Sequence, residues 1–496
     1  MKIYNGYERL PRNYTLMSDE YEFTMANSYL QNNKEEEEAA FDLFFRKIPN
    51  NGGYAIMAGL DKVISYIQNL KFGEKELEYF KRNGYSLDFV NYLRNFKFTG
   101  DIYAIPDGTP VFPNEPLITI KAPLIEVQIV ETAILSMING AMEHATGARK
   151  IIEATPKNVS VMEFGARRAD GPEAAIDSSI YGIMAGCTGT SNMVAADMLN
   201  KKAMGTMAHS YIESFNCEYD AFLSYALNYP NNCILLVDTY DTLKSGVINA
   251  IRVFKYMREN NMSLDHIGIR IDSGDLAYLS KETRKMLDAA GFPQAKICLS
   301  NGLTAETIEN LIIQGAKFDM LGVGDNISKP EGRMGCVYKE VALNINGELM
   351  PKIKLSNDTI KITNPGFKKV YRAYDNKTGY AIADIIELNP KLLNQKELLI
   401  IDPSNPNNKR VINDFTLVPL QKTIFKNGNL VYEENNLDID DVAKYCHDQM
   451  ETLYEEVKRT LMPHKYQVAT TEEYLEYKDD VIEKERVKIK KNIGVI

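Results

Sequence analysis

The stretch 205–210 places His209, one of only five histidines in the chain, beside a glycine and two hydroxyl side chains, those of Thr206 and Ser210. A neutral imidazole is a nucleophile, and its pKa near about 6.5 leaves it mostly unprotonated at neutral pH. His209 is therefore a candidate for covalent or acid–base chemistry. The same residues also fit a structural histidine that is hydrogen-bonded within the core, so its surroundings must decide.

The segment 270–275 offers one cation, Arg270, together with the carboxylates of Asp272 and Asp275. Carboxylates at a rigid strand end suit Mg²⁺ or a sugar diol, because both need oxygen acceptors at fixed positions. Ser273–Asp275 is also the pattern of a helix N-cap. We therefore favour a functional role for Arg270 and Asp272, while Asp275 keeps a structural alternative.

Two adjacent arginines, Arg167 and Arg168, follow a predicted strand and a glycine. A guanidinium group suits a carboxylate or a phosphate, although a surface pair that bridges to acidic neighbours is equally consistent with the pattern. Phe164, just before them, could lie in the core or stack on an aromatic ligand.

Glycine-rich segments at 300–302 and 322–324 are separated by one predicted helix, so they should end neighbouring strands. Glycines allow a ligand to approach the backbone closely, and successive N–H groups can bind an anion. Asn301, Gly302, Gly322 and Gly324 are therefore predicted to form a phosphate-binding edge. Asp325 directly follows this edge.

The elements that position these residues show a repeated pattern from residue 158 onward. Short β-branched runs alternate with helical patterns, which predicts βα units and a parallel sheet, either closed as a barrel or open. The runs are 159–162, a weak one at 204–207, 233–237, 267–271, 296–299 and 318–323. Each polar segment described above follows one of these runs, and the carboxyl ends of such strands are where α/β enzymes place their active sites.

The flanking regions predict three domains, at 1–125, 126–330 and 331–496. The first is a mixed α+β domain that ends at a long helix over 125–154, and it should share strands with the antiparallel segment that follows the barrel. That last segment carries a hairpin signal, Asn346-Gly347, between two strand-like runs. It continues with an Asn- and Pro-rich stretch at 389–409, interpreted as a loop, and with helices over 440–461 and 472–491, which should pack back on the first two domains.

Composition excludes several classes of partner. The formal charge of −10 opposes long-range attraction to nucleic acid. No segment approaches about 18 uninterrupted apolar residues, and the first residues lack a signal peptide, so we expect a cytoplasmic protein without a membrane partner. Six scattered cysteines cannot form a local zinc or redox motif, so reduced and mostly buried thiols are expected.

Long stretches of the chain resemble nicotinate phosphoribosyltransferase, and they occur in order from one end to the other. The matching stretches are SDEYEFTM (18–25), FDLFFRK (41–47), GGYAIMAGL (52–60), EFGARRADGPEAA (163–175), GTSN (189–192), GTMAHS (205–210), LLVDTYDTLKSG (235–246), IRIDSGDL (269–276) and MPHKYQV (462–468). The resemblance implies an irregular α/β barrel of the type II phosphoribosyltransferase kind, with an N-terminal mixed α+β domain and a C-terminal extension, working as a homodimer.

The implied activity joins nicotinate to 5-phosphoribosyl 1-diphosphate, giving nicotinate mononucleotide and diphosphate while ATP is hydrolysed in NAD biosynthesis. By this resemblance, His209 is the histidine that ATP transiently phosphorylates. Mg²⁺ is the implied cofactor, with Asp272 or Asp275 as possible ligands, directly or through water. A minor alternative is the open-sheet class of phosphoribosyltransferases. The segment 234–242 resembles the loop of that class in which a hydrophobic strand ends in two adjacent acids, but here the second acid is missing.

The resemblance also assigns the remaining site residues. The nicotinate site is expected to contain Tyr21, Arg167, Thr206, Ser210 and Arg270, and the ribose and phosphate site to contain Asp275, Asn301, Gly302, Gly322, Gly324 and Asp325. Asp272 joins His209 as a catalytic residue. The family commonly has threonine at the position of Asp325, so this residue departs from the pattern.

Two other functions remain open on the sequence. A nicotinamide or quinolinate phosphoribosyltransferase would use a related barrel, but two arginines near the ring favour an acid over an amide, and His209 in its motif favours ATP coupling. A non-catalytic binding homologue is the second alternative. It is less consistent with the presence of His209, Arg270 and Asp272 together.

Overall fold

The computed structural model of the protein describes residues 7–10, 12–356, 362–388, 395–432 and 438–492. The chain divides into two compact units, Met1–Glu143 together with Gly332–Ile496, and His144–Glu331. The first and third predicted domains therefore belong to one unit. The second unit begins inside the long helix rather than at residue 126.

The first part of the chain contains five strands and six helices, the last of which continues into the second unit. The strands are β1 Glu38–Phe44, β2 Ala55–Ile56, β3 Asp101–Ala104, β4 Pro110–Val111 and β5 Ile118–Pro123. The helices are α1 Glu20–Gln31, α2 Leu60–Asn69, α3 Glu74–Arg82, α4 Leu87–Arg94, α5 Leu124–Gln128 and α6 Glu131–Glu153. The long helix predicted over 125–154 is thus two consecutive helices.

The segment Leu124–Glu153 is the one stretch, among the described residues, that is long and apolar enough to cross a membrane. Its most apolar 18-residue window is 67% buried inside the protein, as expected of a helix that packs in a core. Length and composition alone are therefore weak evidence for a membrane span here.

The second unit alternates strands and helices, as the sequence predicts. The strands are β6 Ser160–Glu163, β7 Gly189–Thr190, β8 Cys233–Leu236, β9 Ile267–Ile271, β10 Lys296–Ser300 and β11 Met320–Val323. The helices are α7 Pro172–Met184, α8 Met193–Met198, α9 His209–Glu213, α10 Glu218–Asn228, α11 Val247–Glu259, α12 Leu276–Ala289, α13 Ala305–Ile313 and α14 Asp325–Ser328. A 3₁₀ turn, Ala166–Arg168, follows β6, and a π-helical turn, Thr242–Gly246, precedes α11.

The last part of the chain is mainly antiparallel. Its strands are β12 Val337–Ile345, β13 Glu348–Pro351, β14 Lys369–Asp375, β15 Ala381–Glu387, β16 Glu397–Asp402, β17 Asn405–Asn413, β18 Phe415–Pro419, β19 Lys422–Lys426, β20 Asn429–Leu430 and β21 Val468–Thr470. Its helices are α15 Ile439–Glu451, α16 Glu455–Lys458 and α17 Glu472–Asn492. The loop predicted at 389–409 is wrong from residue 397 onward, and 389–394 lie outside the described residues.

Strands from both ends of the chain pair within the first unit. One sheet has the order β13-β12-β1-β5-β3-β19-β20, and another has the order β17-β16-β21-β15-β14-β18. Asn346 and Gly347, at the turn between β12 and β13, have φ of 55° and 89°, as a two-residue hairpin turn requires. The predicted sharing of strands is thus seen in the pairing of β1 with β12.

The second unit contains a six-stranded parallel sheet with the order β7-β6-β11-β10-β9-β8. The last strand, β11, pairs with the first, β6, so consecutive strands follow each other around a ring, as in a barrel. An open doubly wound sheet would instead reverse direction at a switch point. The barrel prediction is therefore confirmed, and the open-sheet alternative is wrong.

An irregular segment completes the ring of strands between β7 and β8. The strand predicted at 204–207 is wrong, because residues 201–208 form no regular structure. Even so, the Met204 amide donates to the Thr190 carbonyl of β7 at 2.8 Å, and the Asn232 side chain, next to β8, donates to the Gly205 carbonyl at 3.3 Å. This coil takes the place of a strand and leads directly to His209.

The two faces of the sheet differ in chemistry because side chains alternate along a strand. Ile269, Ile271, Ile297 and Leu299 are buried in the core that packs against the helices. Arg270 and Ser300 come from the opposite face. The alternation therefore separates this core from a second face, which carries the buried Met162, Ile234 and Cys298 as well as the polar Arg270 and Ser300.

The thiols agree with the sequence analysis. All six cysteines are free; only Cys217 is exposed, and the other five are buried. Burial raises the pKa of the thiols of Cys187, Cys233, Cys298 and Cys336.

Candidate active site

Arg270, the fourth residue of β9, lies at the centre of a hydrogen-bonded cluster at the carboxyl edge of the sheet. Its Nε donates to Ser300 Oγ at 2.8 Å, its Nη1 to Thr206 Oγ1 at 3.2 Å and its Nη2 to Asp272 Oδ1 at 3.0 Å. These partners come from β10, the irregular coil and the end of β9. The guanidinium group is therefore fixed in one orientation, with further N–H groups that a ligand could use.

Phe164 provides an aromatic face beside this cation. The guanidinium carbon of Arg270 is 5.6 Å from the centroid of the Phe164 ring. The ring also packs on Gly322, where an added Cβ would lie 2.5 Å from it. Gly322 is therefore required for packing against Phe164, in addition to any contact with a ligand.

Asp272 and Asp238 form the acidic side of the cluster. The Ser300 hydroxyl donates to Asp272 Oδ1, which also accepts from Arg270. Asp238 Oδ2 accepts from the Asp272 amide at 3.0 Å and from Ser273 Oγ at 2.6 Å. Asp238 Oδ1 is buried and has no hydrogen-bond partner among the residues that the structure describes, so it is an acceptor available to a ligand or a cation.

His209 is the first residue of α9, directly after the irregular coil. Its Nδ1 lies 3.1 Å from Thr239 Oγ1, which follows Asp238 at the end of β8. The hydrogen bond occupies Nδ1 and leaves Nε2 as the ring nitrogen available for chemistry. The hydrogen bond therefore fixes one side of the imidazole ring of His209, and the residue stays partly exposed.

The two hydroxyls that flank His209 in sequence lie in different environments. Thr206 is half-buried and accepts from Arg270, whereas Ser210 is exposed on α9. Thr206 thus joins the cluster, and the predicted role of Ser210 stays a prediction.

The glycine-rich edge is partly strained. Asn301 and Gly302 follow β10 and have φ of 104° and 56°, in the left-handed region. A φ of 104° is uncommon for a residue with a side chain, and such backbone is often found at functional sites. No atom lies within 4 Å of where a Cβ at Gly302 would stand, so the backbone there is open.

The two adjacent arginines behave differently. Arg167 and Arg168 are both exposed on the 3₁₀ turn. Arg168 Nε lies 3.3 Å from Asp325 Oδ1, which is the surface pairing that the sequence left open. Arg167 has no contact with the Arg270 cluster among the described residues, so its place in a nicotinate site stays a prediction.

Asp275 caps a helix in the structure, and its predicted contact with ribose or metal stays a prediction. Its Oδ1 accepts from the Tyr278 amide at 2.9 Å and caps the N-terminus of α12. This cap explains why an aspartate follows Gly274, whose φ of 77° makes the turn.

Tyr21 lies in the first unit, on α1, and is partly exposed. Burial and the neighbouring Glu131 carboxylate raise the pKa of its hydroxyl. The phenol is therefore a neutral hydrogen-bonding group at physiological pH.

A pocket with a volume of about 160 Å³ shares Thr206 with the cluster. Its lining combines apolar side chains from the sheet with residues of the irregular coil. They are Met162, Lys202, Ala203, Met204, Gly205, Thr206, Asn231, Asn232, Ile234, Cys298 and Met320. Arg270 and Phe164 are not part of this lining, and Asn231, Asn232 and Met320 lie at the amino ends of β8 and β11, so the pocket is separate from the face that the guanidinium group offers.

A metal held by protein ligands alone does not fit this site. Within the described ranges, no group of three or more His, Cys, Asp or Glu side chains could hold a metal ion. Mg²⁺ commonly uses one or two carboxylates together with substrate phosphates and water. Asp272 and the unpartnered Asp238 oxygen fit that second arrangement.

Three residues of the site were not among the predicted ones. Asp238 and Thr239 follow β8, and Ser300 ends β10. A general signal was present, since each follows or closes a predicted strand. The pairing of Thr239 with His209 joins residues 30 positions apart, which spacing does not reveal.

Glu163 connects the segments that surround Phe164. Its carboxylate is fully buried and accepts hydrogen bonds from Ser179 Oγ at 2.8 Å, from Thr190 Oγ1 at 2.6 Å and from the Gly165 amide. These donors come from α7, β7 and the turn after β6. Glu163 therefore fixes the backbone beside Phe164.

Comparison with known sequences covers most of the chain. The nicotinate phosphoribosyltransferase (NAPRTase) N-terminal domain matches residues 16–139, the NAPRTase family matches 159–378, and the NAPRTase C-terminal domain matches 367–478.

Individual proteins agree over nearly the full length. The chain is 39% identical to nicotinate phosphoribosyltransferase of Bacillus subtilis (strain 168), over 92% of the chain and 93% of that protein. It is 31% identical to that of Caenorhabditis elegans, over 95% and 94%. The crystal structure of human nicotinic acid phosphoribosyltransferase aligns with a TM-score of 0.81 at 25% identity, covering 93% of this chain and 99% of that one.

Proposed function

Because the chain belongs to the nicotinate phosphoribosyltransferase family of NAD biosynthesis, we propose that it catalyses this reaction in an ATP-coupled form. The pyridine nitrogen of nicotinate attacks C1 of 5-phosphoribosyl 1-diphosphate, and the C1–O bond to diphosphate breaks. The products are nicotinate mononucleotide and diphosphate. In parallel, one ATP and one water give ADP and phosphate.

The arrangement around Arg270 carries this proposal. Nicotinate is a flat ring with one carboxylate, so it needs an aromatic face and a fixed cation. Phe164 and Arg270 supply both at 5.6 Å from each other, and Ser300 and Thr206 hold the guanidinium group in place. An amide would gain less from a guanidinium group than a carboxylate does, which favours the acid as substrate.

His209 is the proposed phosphoryl acceptor. With Nδ1 hydrogen-bonded to Thr239, the lone pair of Nε2 attacks the γ-phosphorus of ATP, and ADP leaves. Water later cleaves the N–P bond and releases phosphate. This step couples the free energy of ATP hydrolysis to mononucleotide formation.

Acidic groups and Mg²⁺ complete the proposed site. Mg²⁺ neutralises charge on the departing diphosphate when it is bound. Asp272 and Asp238 would hold it, directly or through water, together with the substrate. Asp272 is also proposed to face the ribose, where a fixed carboxylate would stabilise the positive charge that develops during bond cleavage.

The quaternary state and the location are proposed on family resemblance. We propose a cytoplasmic homodimer in which Tyr21 reaches a nicotinate site. The neutral hydroxyl of Tyr21, held by Glu131, is suited to a ring contact rather than to charge neutralisation.

A product assay tests the function directly. The purified protein is offered nicotinate, nicotinamide or quinolinate with 5-phosphoribosyl 1-diphosphate and Mg²⁺, with and without ATP. We expect nicotinate mononucleotide alone, formed faster with ATP and accompanied by ADP.

Each contrary outcome identifies an alternative. Nicotinamide mononucleotide as the main product would indicate an amide-specific enzyme, and release of carbon dioxide from quinolinate would indicate the decarboxylating class. No product with any ring, despite calorimetric binding of nicotinate, would indicate a binding homologue.

A further inference from the structure

Two ion pairs connect the segment after β6, residues 166–170, to α14 and to the residue that follows α14. Arg168 Nε lies 3.3 Å from Asp325 Oδ1, and Lys329 Nζ lies 2.6 Å from Asp170 Oδ1. All four side chains are between 53% and 58% exposed. The pairs are therefore matched in exposure and in the segments that they join, but they differ in position.

Only one of the two pairs lies at the glycine-rich edge. Asp325 directly follows Gly324, whereas Asp170 and Lys329 lie farther along each segment. A carboxylate beside a bound phosphate weakens binding, because like charges at short distance repel. Arg168 neutralises this carboxylate in the structure, and a guanidinium group is itself well suited to a phosphate.

We propose that Asp325 competes with substrate for Arg168: it holds the guanidinium group until a phosphate of 5-phosphoribosyl 1-diphosphate replaces it. The exchange substitutes one anionic partner for another and breaks no covalent bond. A phosphate offers more oxygens and more negative charge than a carboxylate, so it is the stronger partner. The inference rests on the proposed function and assigns to Asp325 and Arg168 the setting of affinity for the phosphoribosyl donor.

The test compares KM for 5-phosphoribosyl 1-diphosphate at saturating nicotinate and ATP. Asp325→Asn removes the competitor and its repulsion, so KM should fall by roughly two- to fivefold, the range of an exposed ion pair. Arg168→Ala should raise KM. Asp325→Asn should lower KM less in the Arg168→Ala background than in the wild type, because only the repulsion is then relieved and no competition for the arginine remains.

Asp170→Asn is the matched control. It breaks the other ion pair between the same two segments and removes the same charge at a similar exposure. We expect its KM for the donor to equal that of the wild type. If the ion pairs only fastened the turn to α14, Asp170→Asn and Asp325→Asn would change KM equally, which would overturn the proposal.

An unchanged or higher KM in Asp325→Asn would also overturn it, as would a fall in KM that is equally large in the Arg168→Ala background. Asp325→Thr serves as a second neutral variant and should lower KM in the same direction. If the wild type makes no nicotinate mononucleotide, the proposed function fails. The competition is then tested by calorimetric Kd for 5-phosphoribosyl 1-diphosphate, where the same order of variants is required.

Discussion

His209 is held through a single ring nitrogen, so the hydroxyl of Thr239 controls which nitrogen faces the solvent. Thr239→Val keeps the shape of the side chain but removes this partner, and both tautomers then become accessible. We expect a fall of about tenfold in ADP formation, comparable to other losses of a hydrogen bond that orients a catalytic group. The ratio of ADP to nicotinate mononucleotide, measured by chromatography, reports the coupling.

Two variants make this prediction specific. Thr239→Ser restores the hydroxyl and should recover most of the coupling, whereas His209→Ala should abolish it. Nicotinate binding, measured by calorimetry, should persist in all three variants. Equal coupling in Thr239→Val and the wild type would show that the hydrogen bond does not orient the nucleophile.

At this scale, sequence reasoning identifies the groups with strong intrinsic chemistry and misses the groups that support them. Arg270, Thr206 and Asp272 were predicted and lie in one cluster. Thr239 and Ser300 have ordinary hydroxyl side chains, and only the alignment of neighbouring parallel strands brings them to the site. At Asp275 the sequence could not distinguish a helix cap from a ribose ligand, because both have the same local pattern, and the structure shows the cap.

At the scale of elements, α2 has an unusual arrangement at its N-terminus. The carboxylate of Asp107, 47 residues away, accepts from the Leu60 amide at 3.1 and 3.2 Å. Burial, with the nearby Asp61 carboxylate, raises the pKa of Asp107 to about 8, while Arg9 forms an ion pair with Asp61 at 2.7 Å. The folded state therefore keeps a proton that the unfolded chain releases at a much lower pH.

This arrangement predicts a loss of stability with rising pH. The pKa of an unfolded aspartate is about 3.9, so the free energy of unfolding should fall as the pH rises from about 4 to about 8. Asp107→Asn keeps an acceptor for the helix and removes the titration, so its Tm should fall less over that range. Circular dichroism melts at several pH values measure this effect.

Asp88→Asn provides the control. Asp88 lies exposed in the first turn of α4, so the variant makes the same change of charge at another helix start. Its Tm should follow the pH dependence of the wild type. If Asp107→Asn behaves identically to Asp88→Asn, the proton on Asp107 does not contribute.

Elements were predicted well where hydrophobic periodicity is strong and poorly where it is weak. The buried strands β8 to β11 consist of short apolar runs, which do not show the spacing of apolar residues expected of a helix. The coil at 201–208 contains methionines that resemble a short strand, but its irregular path across the ring prevents regular pairing. β17 was missed because almost all of its side chains are exposed and polar, so its pairing depends on the backbone alone.

At the scale of the whole molecule, a buried charged network links three distant parts of the chain within the first unit. Arg372 is fully buried, donates to both oxygens of Asp384 at 2.8 and 2.6 Å, and also donates to the Pro110 carbonyl. Tyr466 donates to Asp384 at 3.1 Å. Burial and the Asp384 charge hold the pKa of Glu115 well above its usual range, so this neighbour adds no second charge.

Arg372→Met should therefore destabilise this unit strongly. Removing one member of a buried ion pair leaves the other charge without compensation and typically costs about 3–5 kcal/mol. Hydrogen exchange of the amides of β14 and β15 measures the change locally. Lys444→Met breaks an exposed ion pair with Asp448 on α15 and should change the same amides by less than about 0.5 kcal/mol.

Protection of β14 and β15 that is equal in the two variants would show that the network does not stabilise the unit.

The assembly of this unit from both ends of the chain was predicted only in outline. The hairpin signal at Asn346-Gly347 and the strand patterns indicated shared sheets. Long-range partners such as Arg372 and Tyr466 leave no periodic trace, because each is a single residue in its own segment.

The uneven exposure of the thiols has a practical consequence for spectroscopy. Cys217 lies between α9, which begins at His209, and α10. It is exposed, whereas the other five cysteines are buried. A maleimide fluorophore should therefore attach at one position without any engineered substitution. The unmodified polypeptide thus offers a route to follow events at α9 in real time, by emission intensity or anisotropy, during a single turnover.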